Sequence, residues 1–358
     1  MRLPCCCSIF FVCNQRKYYL CGVYFFKMFK LKIHRSQLII GESYLNIADY
    51  LPADKQIIVI TDACILKYYG EFFRNRSVIE IGMGEKNKSL DTVADIYGRL
   101  LELSADRSCF ILAVGGGVVC DIAGFVASTY MRGVSFGFVS TTLLSQVDAS
   151  IGGKNGVNFG GYKNMVGVFS QPQFVLCDTS MLQTLTERDF ISGFSEIVKA
   201  AAISSYELFE YLEQNVEKAL ARDNEIIRHL VIESVKIKAS VVETDEREQG
   251  KRRILNFGHT YGHAIEAITG VTHGEAVSMG MIISARLSIS ECGFPQNHFD
   301  RLERLLKRLK LPVTTNVNRQ DMLQSILKDK KRENNVIQFV YLKNIGEAII
   351  KEAKLSSL

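Results

Sequence analysis

Three histidines lie within fifteen residues of a chain that has only six, namely His259, His263 and His273. On a helix, His259 and His263 would share one face, which is the spacing for two imidazoles around one metal ion. A lone histidine is usually structural, but three so close together in a histidine-poor chain favour a metal site. A carboxylate would complete the ligand set, and spacing leaves both Glu196 and Glu266 open as candidates.

A glycine turn at residues 115–117 follows the apolar run 110–114 and precedes a stretch of helical periodicity. Strand, glycine turn and helix together bring backbone amides close to a phosphate group at a helix N-terminus. The complete G-x-G-x-x-G pattern is missing, so a tight turn without a ligand is the alternative. Asp62 and the segment 84–88 follow other apolar runs, where open α/β sheets bind ligands. The alternative for them is a helix cap at Asp62 and a solvated charge at Lys88.

The segment 140–164 is too rich in glycine and polar residues to be a core element. Its glycines separate polar side chains that could converge on one anionic ligand. The lysines among these side chains are cations, which suit the recognition of phosphate and carboxylate groups. These side chains are Asp148, Lys154, Lys163 and Asn164, and further cations near other motifs are Arg132, Lys238 and Arg252. The alternative is a set of surface charges on a long loop, which fits poorly because long loops without a function are uncommon.

The elements that must position these residues follow from the apolar pattern. We predict strands at 57–60, 78–81, 110–114, 136–139 and 174–177, and a helix at 89–103. Buried strands that alternate with helices predict a mostly parallel sheet with helices on each side. Helical periodicity then dominates in 188–220, 224–242, 253–269 and 276–292, with one late strand at 336–342. The chain therefore divides into an α/β domain over 28–180 and a helical domain over 181–358.

Residues 1–27 differ in composition from the rest of the chain, since they hold five of the ten cysteines, four basic residues and no acidic residue. A polar segment at 14–17 splits their apolar part into pieces too short for a secretory signal or a membrane span. The cysteine run at 5–7 lacks the paired spacing of a zinc motif. We expect this leader to lie outside the fold, which would begin near Met28. A targeting or lipid-modified extension is the alternative.

The composition excludes a disordered tail, a collagen-like repeat and a small disulfide-stapled module, because 47% of the 358 residues are hydrophobic and 23% are charged. The five cysteines after residue 27 stand alone in apolar surroundings, as free thiols do in a reducing cytoplasm. Residues 28–358 carry a formal charge of only +1, so the positive charge that matters is local. We expect a cytoplasmic protein with neither a nucleic-acid nor a membrane partner.

Eight blocks of the sequence stand in an order that resembles the 3-dehydroquinate synthases, over about residues 30–348. They are GEKNKS at 84–89, GGGVVCDIAGFVASTYMRG at 115–133, STTLLSQVDASIGGKNGVN at 140–158, GFSEIVK at 193–199, TDERE at 244–248, LNFGHTYGHAIE at 255–266, HGEAV at 273–277 and DKK at 329–331. The resemblance implies an N-terminal Rossmann-like α/β domain that binds NAD, followed by an all-α metal-binding domain. The active site would lie between them.

The resemblance also implies roles for single residues. It makes Glu196, His259 and His273 the ligands of Zn²⁺ or Co²⁺, and His263 an active-site histidine that is not bound to the metal. The positions that match NAD contacts are Asp62, Glu85, Lys88, Gly116, Gly117, Asp121, Thr141, Thr142, Lys154 and Lys163. Those that match catalytic or substrate contacts are Arg132, Asp148, Lys154, Asn164, Lys199, Lys238, Arg252, Asn256, His263, Lys330 and Lys331.

The reaction of this family converts 3-deoxy-D-arabino-heptulosonate 7-phosphate into 3-dehydroquinate and phosphate, in chorismate and aromatic amino acid biosynthesis. NAD takes a hydride from carbon 5, phosphate leaves by elimination, and the hydride returns before the ring opens and an aldol step closes the carbocycle. The metal would hold the hydroxyls at carbons 4 and 5 as a Lewis acid. The resemblance then implies proton transfer by His263 with Lys154, phosphate contacts from Asn164, Lys199, His263 and one lysine of the 330–331 pair, and carboxylate contacts from Arg252 and Lys238.

Three other functions compete with this interpretation. A sugar-phosphate cyclase such as 2-deoxy-scyllo-inosose synthase acts on a substrate without a carboxylate, and an acidic residue is expected there at the position of Lys238. An iron-dependent polyol dehydrogenase would release NADH and lacks the block at 140–154. A non-catalytic metal- or nucleotide-binding protein would not need so complete a set of ligands and cations. For the enzyme, family resemblance implies a homodimer.

Overall fold

The computed structural model describes residues 28–329 and 336–354. The expected leader at 1–27 and the lysine pair at 330–331 lie outside these residues. The strands are β1 (Phe29–Ile33), β2 (Ser36–Ile40), β3 (Ile57–Asp62), β4 (Ser77–Ile81), β5 (Phe110–Gly115), β6 (Ser135–Ser140), β7 (Lys154–Phe159), β8 (Tyr162–Phe169), β9 (Phe174–Cys177), β10 (Val336–Asn344) and β11 (Glu347–Lys354).

The α-helices are α1 (Ala63–Tyr69), α2 (Leu90–Glu102), α3 (Gly117–Thr129), α4 (Glu187–Ser204), α5 (Tyr206–Gln214), α6 (Val216–Leu220), α7 (Asn224–Thr244), α8 (His259–Thr269), α9 (His273–Cys292), α10 (Gln296–Arg308) and α11 (Arg319–Asp329). Within the described ranges, none of these helices is both long enough and apolar enough to cross a membrane.

A seven-stranded sheet forms the first half of the described chain, in the order β1-β2-β9-β6-β5-β3-β4. Only the terminal β1–β2 pair is antiparallel, and the other neighbours are parallel. The strand β5 is buried along its whole length because helices cover both faces of the sheet. All five predicted strands and the predicted helix at 89–103 are present, so the α/β prediction is confirmed.

Three hairpins depart from the predicted pattern, and the first is β1–β2, where no strand was predicted. The polar segment 140–164, to which no strand was assigned, contains β7 and the start of β8, an antiparallel pair whose strands include glycine and polar side chains in place of a regular apolar alternation. The late strand predicted at 336–342 is β10, and it pairs with β11 beside the helices. The second half is thus mostly helical, with one added hairpin.

The helical half begins after β9, where a 3₁₀-helix at Thr179–Thr184 leads into α4. The segment expected as helical at 188–220 is divided into α4, α5 and α6, and the side chain of Ser205 caps α5 by accepting a hydrogen bond from the Leu208 amide. The expected division at residue 180 falls in this connection and stays a prediction.

One continuous cluster of buried apolar side chains joins the two halves. It includes Ile111 of β5, Phe194 of α4, Val277 of α9 and Leu302 of α10. Because the sheet and the helices bury their apolar surfaces against each other, the hydrophobic effect stabilises their relative placement. The carboxyl edge of the sheet therefore faces the helical half in a defined position.

Candidate active site in the cleft between the two halves

A cavity of about 630 Å³ lies between the sheet edge, the β7–β8 hairpin and the helical half. Residues from distant parts of the chain line it together. Those that the sequence singled out are Glu85, Lys88, Gly117, Asp121, Asp148, Lys154, Lys163, Asn164, Lys199, Lys238, Arg252, Asn256, His259, His263 and His273. Most of the polar side chains predicted to act together thus share one cavity.

Glu196, His259 and His273 bring one ligand atom each to within 4.8 Å of the others. The Nε2 atoms of His259 and His273 lie 3.6 Å and 3.4 Å from Glu196 Oε1. His263 projects beside them, with its ring centroid 5.2 Å from that of His259 and 6.0 Å from that of His273. Although spacing alone pairs His259 with His263, the structure groups His259 with His273 and the distant Glu196.

Glycines allow the helices that carry these side chains to approach closely. A Cβ atom on Gly280 of α9 would lie 2.0 Å from the carbonyl oxygen of Gly258, which precedes α8. A Cβ on Gly274 would lie 2.0 Å from the carbonyl oxygen of Ser192 in α4. Because real Cβ atoms do not approach backbone so closely, glycine is required at both contacts, and α4, α8 and α9 meet at backbone distance beside the triad.

The Glu196 carboxylate fits a metal ion. Its side chain is 1% exposed and forms an ion pair with Lys199, yet neither oxygen accepts a well-directed hydrogen bond from any described residue. A buried acceptor in that state indicates a missing ligand. Two imidazole nitrogens and one carboxylate oxygen are a donor set that suits Zn²⁺ or Co²⁺, and three protein ligands leave coordination positions open.

The protonation states differ between the two histidines of the triad. Burial and the nearby Lys199 ammonium hold the pKa of His259 well below its usual range, so this imidazole is neutral. Burial also opposes a charge on His273, but its contacts with the carboxylates of Glu196 and Glu266 outweigh burial and raise its pKa to about 9. A metal ligand must be the neutral imidazole, so metal binding would release the His273 proton.

Next to the metal triad, the charged side chains of Asp148, Lys199 and Lys238 pair with each other. Lys238 Nζ donates to Asp148 Oδ1 over 2.7 Å, and Lys199 Nζ lies 3.7 Å from the same oxygen. Burial raises the pKa of Asp148, but the two ammonium groups outweigh burial and lower it. Asp148 lies in the π-helical turn Ser145–Ala149, which directs this carboxylate from the sheet edge towards α4 and α7. We call these four residues, Asp148, Glu196, Lys199 and Lys238, together with the helices α4, α7, α8 and α9 around them, the helical floor of the cleft.

The glycine turn lies at the carboxyl edge of the sheet, where Gly116 precedes α3. A Cβ on Gly116 would lie 2.8 Å from Thr142 Cγ2, and one on Gly117 would lie 3.0 Å from Ala149 Cβ. Glycine therefore lets α3 begin in close contact with Thr142 and Ala149, and the N-terminus of such a helix presents backbone amides that can bind a phosphate group. Gly116, Thr141 and Thr142 are not among the described residues that line the cavity.

Lys88 is not the solvated loop charge of the alternative interpretation, because it is 5% exposed. Its ammonium donates to Asp121 of α3 and, over 2.5 Å, to Asn164 Oδ1 of β8. Burial disfavours the charge on Lys88, but the carboxylate of Asp121 outweighs it and raises the pKa of Lys88. Glu85 accepts a hydrogen bond over 2.8 Å from Asn158 Nδ2, so the 84–88 segment and the hairpin form one wall.

Two ion pairs connect the hairpin to the helical half across the cavity. Lys154 Nζ pairs with Glu248, whose other oxygen accepts a hydrogen bond from Asn256 Nδ2 over 2.5 Å. Lys163 Nζ pairs with Glu266 Oε1 over 2.5 Å. Glu248 was missed by the sequence reasoning, although it ends the TDERE block, because an isolated acid after α7 carries no spacing signal.

Arg252 is 2% exposed and lines the cavity. One guanidinium nitrogen donates to the carbonyl oxygen of Glu246, and the other donates to that of Gly152 over 3.1 Å. Its Nε is buried without an acceptor among the described residues. Burial lowers the pKa of Arg252, so this cation lies in a place where a bound anion would stabilise it.

Besides Gly116, Thr141, Thr142 and the metal-ligand candidate Glu196, two more predicted site residues, Asp62 and Arg132, lie outside the cavity lining that the described residues define. Asp62 caps α1 by accepting a hydrogen bond from the Ile65 amide over 3.0 Å, although it shares the carboxyl edge of the sheet with the glycine turn. Arg132 ends an exposed 3₁₀-turn and has a left-handed backbone, with φ +67°. The assignments of Asp62 to NAD and of Arg132 to the substrate stay predictions.

Comparison with solved structures first defines the class of protein. The crystal structure of 2-deoxy-scyllo-inosose synthase with carbaglucose-6-phosphate, NAD⁺ and Co²⁺ superposes with a TM-score of 0.83 and 27% identity, over 92% of this chain and 98% of that one. The α/β half, the helical half and their arrangement are thus those of a sugar-phosphate cyclase.

Sequence comparison then gives the family. The N-terminal and C-terminal family models of 3-dehydroquinate synthase match residues 78–192 and 193–332. The 3-dehydroquinate synthase of Desulforamulus reducens is 42% identical, over 85% of this chain and 88% of its own length. That of Idiomarina loihiensis is 43% identical, over 87% of this chain and 91% of its own length. The chain belongs to the 3-dehydroquinate synthase family, as the resemblance implied.

Proposed function

We propose that this chain converts 3-deoxy-D-arabino-heptulosonate 7-phosphate into 3-dehydroquinate and phosphate, as a carbon–oxygen lyase with catalytic NAD and a divalent metal, Zn²⁺ or Co²⁺. One observation carries the proposal. Gly117 at the end of the glycine turn, both histidines of the metal triad and four buried cations line a single cavity, and the third ligand, Glu196, lies beside those histidines. Family membership supports the same reaction.

Glu196, His259 and His273 would hold the metal, and the glycine turn with Lys88 and Asp121 would hold NAD. When bound, NAD supplies reversible hydride acceptance and the metal supplies Lewis acidity. The ion pair between Lys88 and Asp121 is buried, so this part of the wall is formed before a ligand arrives, and less conformational entropy is lost on binding.

The chain's own residues bind the two anionic ends of the substrate. Asn164, Lys199 and His263 would bind the phosphate group, and they line the same cavity as Lys154, which would act with His263 on the substrate hydroxyls. Arg252 and Lys238 would bind the carboxylate, and the Arg252 Nε, which has no acceptor among the described residues, supports this assignment. Charge-assisted hydrogen bonds of this type both orient a substrate and exclude water.

His263 would hold or move a proton at the substrate hydroxyls. Its side chain is exposed to the cavity, next to the triad and on the face of α8 that also carries His259. Near neutral pH a histidine serves as either proton donor or acceptor. Asp148 would hold Lys199 and Lys238 in place, since its carboxylate contacts both ammonium groups.

The reaction of 2-deoxy-scyllo-inosose synthase is the second candidate, because that enzyme has the same arrangement of halves. Its substrate has no carboxylate to meet Arg252 and Lys238. The buried Arg252 favours a substrate with a carboxylate, because its Nε has no acceptor among the described residues. We further propose a cytoplasmic homodimer with no nucleic-acid partner, and a substrate contact from the lysine pair at 330–331.

A single incubation tests the proposed function. The metal-free protein is mixed with the heptulosonate phosphate, NAD and Zn²⁺, and both inorganic phosphate and the absorbance of NADH are followed. We expect phosphate release without net NADH. Steady accumulation of NADH would indicate a dehydrogenase and contradict the proposal. Turnover of glucose 6-phosphate in place of the heptulosonate would favour the inosose reaction.

A further inference from the structure

Glu266 lies on α8, two turns after His259, and its carboxylate has two different neighbours. Oε1 pairs with Lys163 Nζ over 2.5 Å, and Oε2 lies 3.4 Å from His273 Nδ1. The side chain is 10% exposed. This acid therefore joins a residue of the hairpin to a histidine of the triad.

The two histidines of the triad are held in similar ways. His259 Nδ1 lies 3.2 Å from the carbonyl oxygen of Phe257, so its Nε2 faces Glu196. His273 Nδ1 faces Glu266, and its Nε2 faces Glu196 in the same way. A backbone acceptor fixes one ring, whereas a side chain fixes the other.

Glu266 is not placed as a direct ligand. It approaches Nδ1 of His273, which is on the opposite side of the ring from the Nε2 that faces Glu196. The grouping of ligand atoms within 4.8 Å, taken over the described residues, contains Glu196, His259 and His273. The spacing argument that left Glu266 open as a ligand therefore does not account for its position.

We infer that Glu266 is a positioning residue for metal binding, which orients the His273 ring, and that Lys163 positions Glu266 in turn. The inference rests on the proposed metal site. An acceptor on the outer nitrogen of a ligating histidine sets its tautomer and orientation and raises its basicity. Because Lys163 belongs to β8, the hairpin on the nucleotide side would thereby influence the affinity of the metal site.

Metal affinity measures this role without relying on turnover. Metal-free protein is titrated with Co²⁺, and both the visible d–d absorption and the dissociation constant, from competition with a chelator, are recorded. We expect Glu266→Ala to bind Co²⁺ about 10- to 100-fold more weakly, with an altered spectrum. Glu266→Gln keeps an acceptor oxygen and should recover part of the affinity. Glu233→Ala, which removes a carboxylate from an exposed pair with Lys236, is the matched control and should leave both readouts unchanged.

A double-mutant cycle tests the step through Lys163. Lys163→Met alone should weaken Co²⁺ binding, by less than Glu266→Ala does. The double variant should bind as Glu266→Ala does, since Lys163 acts through Glu266. If Lys163→Met weakens binding as much in the Glu266→Ala background as in the wild type, the linkage is wrong.

The possible failures are distinguishable. A wild-type protein that binds no Co²⁺ would overturn the proposed metal site itself. A wild type that binds Co²⁺, together with a Glu266→Ala variant of equal affinity and unchanged spectrum, would overturn only the positioning role. Circular dichroism and thermal unfolding of the metal-free variants establish that each is folded, and Glu266→Gln carries the test if the alanine variant is not.

Discussion

The helical floor of the cleft and the Lys154 end of its hairpin wall hold their charges in opposite ways. In the floor, the side chains of Glu196, Lys199 and Lys238 are 1%, 3% and 9% exposed, and they pair with each other or with Asp148. In the wall, the side chain of Lys154 is 49% exposed, and it pairs across the cleft with Glu248. The floor charges are thus compensated within the protein, whereas the wall cation faces both a protein acid and solvent.

The difference indicates what each region contributes. Removing one member of a buried pair leaves an uncompensated charge in a poorly solvated place, so the floor is fixed by its own electrostatics. An exposed pair contributes little to stability, so an anionic group of the substrate can replace Glu248 beside Lys154 at small cost. The floor maintains the geometry of the site, and the wall exchanges partners when a ligand binds.

Glu196→Ala should produce the largest loss of stability. It leaves the buried Lys199 without its nearest carboxylate, and we expect the free energy of unfolding of the metal-free protein to fall by about 3–5 kcal/mol. Denaturant unfolding measures this change. Glu233→Ala breaks an exposed pair on α7 and should cost less than about 1 kcal/mol; equal losses in the two variants would contradict the stabilising role of the buried floor charges.

Gly280→Ala tests whether the floor depends on backbone contact. The new methyl group would meet the Gly258 carbonyl at 2.0 Å, so we expect a loss of at least about 3 kcal/mol, at the upper end of the usual cost of overpacking. Gly160→Asn is the comparison in the wall, because Gly160 has φ +60° and no described atom within 4 Å of a Cβ. Asparagine tolerates this backbone conformation, and a loss there as large as at Gly280 would contradict the argument.

Metal binding should stabilise the floor more than the wall. At a free Zn²⁺ concentration of 100 times the dissociation constant, linkage predicts a gain of about 2.7 kcal/mol in the free energy of unfolding. Hydrogen exchange should slow in α8 and α9, which carry two of the three ligands, and change less in β7–β8. Protection that rises equally in the hairpin would show that the two regions are one cooperative unit.

Lys154→Ala should have the smallest effect on stability and a clear effect on turnover. Because its ion pair is half-exposed, we expect less than about 1 kcal/mol in unfolding. Loss of a charged hydrogen bond to the substrate, worth about 1.5–3 kcal/mol, should lower kcat/KM for phosphate release by about 10- to 100-fold. If the Lys154→Ala variant loses more stability than this but keeps a normal kcat/KM, Lys154 is a structural charge and not a substrate contact.

The sequence predicted β3, β4, β5, β6 and β9 because each contains a short apolar run, whereas the β1–β2 pair was not predicted. The strand β5 and the glycine turn after it could be read from residues 110–117 alone. The hairpin β7–β8 could not, since its strands lack apolar alternation and their exposure follows from the cleft that they line. Apolar periodicity arises from burial, so it does not reveal a strand whose side chains are mostly polar or exposed.

The site was predicted only in part from residue spacing. His259 and His263 lie one turn apart, and spacing paired them, but the third group of the structural triad, Glu196, lies more than sixty residues earlier. Only the tertiary packing of α4 against α9 brings it close. The resemblance to the family supplied this grouping, and it also supplied Asp148, whose position depends on a π-helical turn that has no spacing signal.

The shared apolar core has a consequence for recombination among relatives. The two family models meet at residues 192 and 193, inside α4 and one residue before Phe194, which is packed in the cluster that joins the halves. In a chimera joined at this point, the two ends of α4 would come from different parents. The side chains on the two sides of the shared core would then not be matched to each other. A crossover in the connection after β9 keeps α4 intact, but the sheet would still meet a foreign helical partner. We therefore expect a stable chimera to need the shared core from one parent, even though each half has its own fold.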